Sequence, residues 1–254
     1  MERITSRKNA VISRLRTLAK DAAFRRSEGE ILCDGAKLLE EALHAGAEVR
    51  SVLWKEAPSP LQSRLTPGAK EFCCPAELFD YASPMANSPG PLFTVCRREA
   101  ELRTDAESIL VLENVQDPGN VGTVIRTANA FGIDAVLLVG DCADCTSPKT
   151  VRATMGAIFR QSVLRMEREE MKAALDARGL RLYGAVLSER AQSICTLDLG
   201  RCAVAVGSEG KGLSGELRAL CDGEIIIPMN PESESLNAAV AASVLMWEMR
   251  GKRL

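Results

Sequence analysis

The chain has 254 residues, of which 46% are hydrophobic and 26% are charged, with a formal net charge of −2 at pH 7. This composition predicts a folded protein with a full core, divided into two domains of unequal size, and excludes a disordered chain. The near-neutral balance also excludes a protein that binds nucleic acid with its whole surface. Because the N-terminus is charged and the longest uncharged apolar run, 238–247, is too short to cross a bilayer, we expect a cytoplasmic protein without a membrane span.

Basic residues are concentrated at the start of the chain. Residues 1–26 hold eight Lys or Arg against Glu2 and Asp21, a local excess of +6. Two interpretations remain open, a solvated amphipathic helix or a contact with a phosphate backbone.

The N-terminal part alternates strand and helix patterns. Strands are predicted at 29–35, 49–54 and 92–96, and helices at 36–45 and 76–81. The segment 57–68 is rich in Pro and Ser and is predicted as a loop. A charged linker, 97–107, places the domain boundary near residue 100, which gives domains at 1–100 and 101–254.

The best-specified stretch is ILVLENVQDPGNVGTVIRTANAFGIDAVLLVG, residues 109–140. Its two apolar runs, 109–112 and 135–139, are typical of strands buried on both faces. Apolar residues between them recur at helical spacing, which predicts a helix that starts near Val121, with Asn120 as its cap and Gly132 at its end. The stretch therefore predicts two parallel strands that are connected by a helix.

Arg126 points away from the apolar stripe of this helix. A solvated surface residue is the simpler interpretation. However, Asn120 and Arg126 follow the carboxyl end of a parallel strand, where open α/β sheets bind their ligands, so both are candidate site residues.

The second domain continues with the same alternation. Helices are predicted at 149–159, 169–178 and 236–249, and strands at 162–165, 181–186, 203–206 and 224–229. This order favours a parallel α/β sheet. The last helix is apolar on nearly every face, so we expect the sheet to cover one side and a second copy of the chain to cover the other.

Gly210, Gly212 and Gly215 form a literal G-x-G-x-x-G between a strand and a helix, which keeps a nicotinamide-dinucleotide oxidoreductase open as an alternative. The pattern is weak, since one strand and one helix remain after it and no acidic residue ends that strand. The loop also offers Gly207 at a strand end, where the backbone can approach a ligand closely, and Glu209. The loop with Ser235 and Asn237 returns to the same edge, so three loops are predicted to meet at one pocket.

Nine cysteines without a secretory signal predict reduced thiols. Cys142 and Cys145 form one CxxC. Since the single histidine, His44, is far away in sequence, a zinc site lacks its second half and no metal is predicted.

Three segments, NVQDPGNVGTVIRTANAFG, VGSEGKGL and IIIPMNPESESLNAAVAAS, in this order resemble the three motifs of the SpoU/TrmH group of SPOUT RNA ribose 2′-O-methyltransferases. SPKTVRATMG supports the match. The N-terminal ITSRKN and GEILCDGAKLLEEAL resemble the L30e-like substrate-binding domain of many members. The resemblance implies a parallel-sheet SPOUT domain with a C-terminal trefoil knot, a rare exception to the rule against threading, after a smaller L30e-like α/β domain.

The resemblance also implies S-adenosylmethionine as methyl donor, structured RNA as substrate, with ribosomal RNA favoured over transfer RNA, and a homodimer through the C-terminal helix. The implied catalytic residues are Asn120, Arg126, Glu209, Ser235 and Asn237. The implied donor-binding residues are Gly207, Ile227, Leu236, Met229 and Gly140.

The family is often described with the Arg126 equivalent as general base. Because a guanidinium remains protonated in proteins, we favour a role in phosphate binding and alkoxide stabilisation. Two positions depart from the family pattern, Pro231 where Gly is common and Asp34 where Glu is common. They put the donor loop and the RNA contact in question, and a catalytically inactive RNA-binding protein stays open as an alternative.

Overall fold

The computed structural model describes residues 1–97, 100–230, 232 and 235–250. The chain forms two compact units, Met1–Glu99 with Asp144–Arg160, and Ala100–Ala143 with Gln161–Leu254. The first unit thus contains an internal segment, 144–160, that lies within the second domain of the predicted division. Val151 and Phe159 of this segment are buried in the first unit's core, where they pack with Leu39 and Trp54.

The first unit has a five-stranded sheet in the order β1-β4-β3-β5-β2. Its elements up to residue 97 are β1 (Glu2–Arg3), α1 (Ala10–Lys20), α2 (Ala22–Glu28), β2 (Glu30–Asp34), α3 (Ala36–His44), β3 (Val49–Lys55), a 3₁₀ helix (Pro60–Arg64), β4 (Lys70–Cys74), α4 (Ala76–Ala82) and β5 (Leu92–Cys96). The sheet is mixed, since β5 runs antiparallel to β2 and β3 while β3 and β4 are parallel.

The rest of the chain supplies the second sheet and the internal segment of the first unit. Its elements are β6 (Ser108–Glu113), α5 (Pro118–Ala130), β7 (Ala135–Val139), α6 (Pro148–Ala153), a 3₁₀ helix (Ala157–Phe159), β8 (Val163–Met166), α7 (Arg168–Asp176), β9 (Arg181–Ala185), β10 (Gln192–Ser193), a 3₁₀ helix (Ile194–Thr196), β11 (Cys202–Val206), α8 (Gly215–Leu220), β12 (Gly223–Ile226) and α9 (Ala238–Met249). The predicted helix 149–159 is interrupted, because Met155 and Gly156 have positive φ.

The second sheet has the order β10-β12-β9-β11-β6-β7-β8. All of its strand pairs among the described residues are parallel. The central strands β6, β7 and β11 are buried along their whole length, as continuous apolar runs require. The predicted parallel α/β sheet is confirmed, whereas the trefoil knot remains a prediction.

The last two elements are shorter than predicted. β12 ends at Ile226, so Ile227 and Met229 lie in the loop that follows it. α9 starts at Ala238, because the Asn237 side chain accepts hydrogen bonds from the backbone N–H groups of Ala239 and Val240 and so caps the helix. Within the described ranges, none of the helices has the length and apolar character needed to cross a membrane.

Candidate active site at the carboxyl edge of the parallel sheet

The first loop of the site is set by the start of α5. Asp117, rather than the predicted Asn120, caps this helix, since its side chain accepts a hydrogen bond from the Asn120 N–H at 2.9 Å. Pro118 takes the first helical position, where its fixed φ and missing N–H are favourable. Gly119 leaves room for the cap, because a Cβ there would lie 2.8 Å from Asp117 Oδ1. The Asn120 side chain is therefore released from capping.

Asn120 instead joins a polar cluster with residues from the other two loops. Its Nδ2 donates to Glu209 Oε1, and its Oδ1 accepts from Asn237 Nδ2 at 3.2 Å. Asn237 is fixed in turn by capping α9. Glu209 and Asn237 are exposed at the sheet edge, and Asn120 is half-buried between them. The predicted meeting of three loops is thus found at Asn120, Glu209 and Asn237, which we call the polar triad.

The glycine-rich loop after β11 folds tightly on itself. The Gly212 N–H donates to the Ser208 carbonyl at 2.8 Å. A Cβ on Gly207 would lie 2.1 Å from the Gly212 carbonyl carbon, a distance that backbone atoms cannot accommodate. Position 207 therefore requires glycine, and this places Glu209 at the exposed tip of the loop, where it reaches Asn120.

A buried carboxylate holds the far end of this loop. Glu113, the last residue of β6, is fully buried and accepts hydrogen bonds from Ser214 N (2.7 Å), Ser214 Oγ (2.7 Å) and Arg168 Nε (2.9 Å). Ser214 also caps α8 by accepting from the Leu217 N–H at 3.1 Å. The hydrogen bond to Glu113 holds the pKa of Arg168 above its ordinary value. Sequence reasoning missed Glu113, although a lone acidic residue at the end of an apolar strand could have signalled it.

A cavity of about 460 Å³ opens beside the triad. This volume lies in the range of small-molecule sites. Its wall includes the predicted residues Gly207, Glu209, Ile227, Met229, Ser235 and Leu236. It also includes Ala185, Val186 and Leu187 from the end of β9, which sequence reasoning did not select. The carboxyl end of β9, next to β11 in a parallel sheet, was the available signal.

Gly140 is the predicted donor-binding residue that the structure places elsewhere. It follows β7, two strands from β11, and is not among the residues that line the cavity. Its φ is +65°, and a Cβ on it would lie 2.4 Å from Asn114 Oδ1. Asn114 Oδ1 accepts from the Asp141 N–H at 2.8 Å, so Gly140 allows the first loop to pack on the end of β7.

Arg126 is not brought into the triad of its own subunit. It is exposed on α5 and has no hydrogen-bond or ion-pair partner among the described residues. Ser235 lies on the cavity wall and is exposed. Pro231, the departure from the family pattern, lies outside the described residues.

Asp34, the other departure, has a structural explanation in the first unit. Its carboxylate accepts hydrogen bonds from Ser83 Oγ (2.7 Å) and from Ser88 Oγ. Burial raises the pKa of this carboxyl above its usual range, and the two serine hydrogen bonds oppose that shift. Asp34 therefore holds the loop between α4 and β5.

Within the part of the chain that the structure describes, the cysteines form neither a disulfide bond nor a metal site. None of the nine forms a disulfide bond, and no cluster of His, Cys, Asp and Glu within the described ranges could hold a metal ion. Burial raises the pKa of the Cys142 thiol, which hydrogen-bonds to the carbonyls of Leu112 and Val139. Cys142 is a packed core side chain.

Comparison with known families gives a match over most of the second unit. Residues 107–247 match the model of the SpoU rRNA methylase family. Among curated proteins, the chain is 33% identical over 251 residues to the 23S rRNA (guanosine(2553)-2′-O)-methyltransferase RlmP of Bacillus subtilis, covering 99% of this chain and 100% of that protein. It is 28% identical to the 23S rRNA (uridine(2479)-2′-O)-methyltransferase of Streptomyces viridochromogenes, covering 99% and 93%.

Solved structures resemble the whole chain. The AdoMet-bound rRNA methyltransferase of Sinorhizobium meliloti superimposes with a TM-score of 0.89 at 26% identity, covering 100% of this chain and 98% of that one. The SpoU methyltransferase AviRb of Streptomyces viridochromogenes, in complex with AdoMet, gives a TM-score of 0.85 at 25% identity, covering 95% and 97%.

Proposed function

Because this chain belongs to the SpoU rRNA methylase family, we propose that it methylates a ribose 2′-hydroxyl in ribosomal RNA. It is an RNA 2′-O-ribose methyltransferase that uses S-adenosylmethionine. The observation that carries the proposal is the position of the polar triad beside the cavity of about 460 Å³. The polar side chains of the triad can orient a ribose hydroxyl, and the adjacent cavity can hold the methyl donor.

The residues of the cavity fit the donor. Its apolar wall, from Val186, Leu187, Ile227 and Leu236, suits the adenine ring, and the backbone of Gly207, which lines the cavity, can bind polar edges. When bound, S-adenosylmethionine supplies an electrophilic methyl group on its sulfonium. The dinucleotide alternative is not supported, since α8, α9 and a single strand, β12, are the described elements that follow the glycine-rich loop.

We assign roles within the site from its hydrogen bonds. Asn120 binds the ribose hydroxyl, because its amide is at the centre of the triad and both its N and O face polar neighbours. Glu209 and Asn237 orient that amide. Ser235 binds the donor or the ribose at the cavity wall. Positioning of the two reactants is the main contribution of such a site.

Arg126 is assigned to the site of a partner subunit. It lies six residues after Asn120 on α5, so it is rotated by roughly 240° around the helix and cannot share the direction of that amide. An exposed guanidinium without a carboxylate partner is suited to binding an RNA phosphate next to the reacting ribose and to stabilising a developing alkoxide.

A homodimer through α9 would complete this arrangement. Val240 and Trp247 of α9 are 49% and 45% exposed, and Trp247 packs edge-on against Phe131 at the end of α5, with ring centres 5.6 Å apart. Two large exposed apolar side chains on one helix favour a subunit interface. We place the protein in the cytoplasm, where cysteines that form no disulfide bond stay reduced.

The experiment combines donor binding with methylation by wild-type and Arg126→Ala proteins. Calorimetry should show binding of S-adenosylmethionine by both proteins and no comparable affinity for NAD. Tritiated methyl transfer to protein-free ribosomal RNA should fall by about 100-fold or more in Arg126→Ala, as for a lost transition-state contact. Binding of NAD without response to the donor would overturn the enzyme class, and a fully active Arg126→Ala would remove the residue from the site.

Mixing inactive variants tests whether the site is shared. Arg126→Ala and Glu209→Ala subunits, unfolded and refolded together, should recover about a quarter of wild-type activity, since half of the dimers are mixed and each has one intact site. The same variants refolded separately and then assayed together are the control. No recovery in the co-refolded sample would place Arg126 and Glu209 in one subunit's site.

A further inference from the structure

The first unit contains a cavity of about 920 Å³, a volume in the range of small-molecule sites. Its wall includes Glu30, the first residue of β2, and Lys70, the first residue of β4. Asp34, where the family pattern places an RNA contact, is the last residue of β2 and lies roughly 13 Å from Glu30 along an extended strand. The cavity is therefore at the opposite end of the strand from that contact. We call it the strand-start cavity.

Polar side chains form the floor of the strand-start cavity. Where α1 covers the sheet, its apolar residues pack with Leu32 and Leu53. Two positions earlier in the same strands, and so on the same face of the sheet, are Glu30 and Ser51. The Ser51 and Thr94 hydroxyls hydrogen-bond to each other at 2.9 Å. Because that bond uses one of their two protons, the pair has a second proton that it can donate to a ligand.

The charged residues of the wall form ion pairs, with one exception. The buried Glu30 carboxylate lies 3.2 Å from Arg14 Nη2 and 3.7 Å from Arg50 Nη1. Arg50 also faces Glu48 at 3.7 Å. Lys70 is exposed, and no carboxylate pairs with it among the described residues. The cavity thus offers one available cation, which suits a ligand with a single anionic group.

Lys70 stands beside both the hydroxyl pair and an apolar wall. It is in register with Ser51 of β3, so the two side chains are on the same face of the sheet. Phe72 follows two residues later in β4 on that face and is half-buried. Val11 and Leu15 of α1 also line the cavity. An anionic group at Lys70 would therefore place the rest of its molecule against apolar side chains.

We propose that the strand-start cavity binds a small organic anion, a molecule with one carboxylate or phosphate group on an apolar body. Lys70 and the hydroxyl pair bind the anionic group, and Val11, Leu15 and Phe72 contact the body. Glu30 and Glu48 disfavour a second anionic group by repulsion. An inorganic ion would leave the apolar wall without a contact. This site does not depend on the proposed function.

The test measures binding of small probes to the full-length protein by calorimetry. S-adenosylhomocysteine is present throughout, so that the probes do not enter the proposed donor cavity. Phenylacetate and phenyl phosphate represent the two sources of the anionic group, and at least one should bind with a Kd below about 1 mM, as for a fragment of about ten non-hydrogen atoms. Acetate, inorganic phosphate and benzyl alcohol each lack the body or the charge and should bind at least about tenfold more weakly.

A matched pair of lysine variants locates the bound probe. Lys70→Gln changes an exposed position, so the melting temperature should stay that of the wild type. Affinity for the bound probe should fall at least about tenfold, as for a lost charge-assisted hydrogen bond. Lys37→Gln removes the same charge from an exposed position of α3 that does not line the cavity, and it should bind the probe like wild type.

Three results would overturn the proposal. The first is that neither phenylacetate nor phenyl phosphate binds below about 1 mM. The second is that probe affinity is unchanged in Lys70→Gln, or that it falls equally in Lys37→Gln. The third is that acetate or inorganic phosphate binds as tightly as the matching probe with a body, which would leave an adventitious ion only.

Discussion

Glu113 is expected to control the shape of the glycine-rich loop, our proposed donor-binding loop, from outside the cavity. It is fully buried and accepts three hydrogen bonds, two from Ser214 at the end of the glycine-rich loop and one from Arg168. Glu113→Ala removes all three and leaves the Arg168 guanidinium, whose side chain is 30% exposed, without its carboxylate. Removing one member of a buried pair costs about 3–5 kcal/mol.

We therefore expect urea unfolding to show a loss of about 3–5 kcal/mol in Glu113→Ala. The loss should be about 1–3 kcal/mol in Glu113→Gln, which keeps one acceptor oxygen for Ser214 but gives up a charge-assisted bond. Because the loop end is then released, the affinity for S-adenosylhomocysteine should fall at least about tenfold in both variants, equivalent to about 1.4 kcal/mol.

Glu169→Gln is the control, since Glu169 is exposed, adjoins Arg168 in α7 and makes the same charge change without contacting Ser214. Calorimetry on variants whose circular dichroism is that of the wild type separates loop effects from unfolding. Wild-type donor-product affinity in folded Glu113→Gln and Glu113→Ala would refute the idea that this carboxylate fixes the loop, as would an equal loss in Glu169→Gln.

Two further predictions concern the dimer face and the internal segment of the first unit. Val240→Asp places a charge on a half-exposed position of α9, so sedimentation should show a folded monomer that lacks methylation activity; an active monomer would contradict the shared site. Burial raises the pKa of Asp144, but hydrogen bonds from Arg25 and Thr146 outweigh it and hold that pKa below its ordinary value. The pair therefore contributes its full stability above about pH 4 and loses it as the pH falls further. Asp144→Asn should accordingly lower the free energy of unfolding by about 1–3 kcal/mol at pH 7 and converge with wild type near pH 2, whereas equal stability at pH 7 would contradict it.

The sequence predicts the second sheet well because its central strands are continuous apolar runs. β6, β7 and β11 are buried on both faces, so their side chains are apolar except for Ser108 and Glu113 at the two ends of β6. The missed strand β4 is different. Its first residues, Lys70 and Glu71, are charged and its apolar part is short, so local composition does not separate it from the preceding loop.

Capping and domain membership depended on information that local patterns do not contain. Asp117 and Asn120 are both good capping residues, and the choice between them is decided by Pro118, which fits the first turn of α5. The segment 144–160 packs in the first unit through Val151 and Phe159, two apolar residues whose partners lie more than 50 positions earlier in the chain. Spacing within the segment predicts its helix but not the sheet against which it packs.

The parts of the candidate site that parallel topology alone brings together could be predicted from the sequence. Residues that act by holding a neighbouring loop in place could not be predicted as well. Asn120, Glu209 and Asn237 each follow or precede an element at the carboxyl edge, so their meeting follows from the order of strands. Glu113 and Asn114 lie at the same strand end but act on neighbouring loops, Glu113 on Ser214 and Asn114 on the N–H of Asp141. The end of β6 thus holds the glycine-rich loop through Glu113, and Asn114 packs the loop that leads to Asn120 on the end of β7. A change at this strand end should therefore alter donor affinity and methyl transfer together, whereas a change at Arg126, which contacts neither loop, should alter transfer alone.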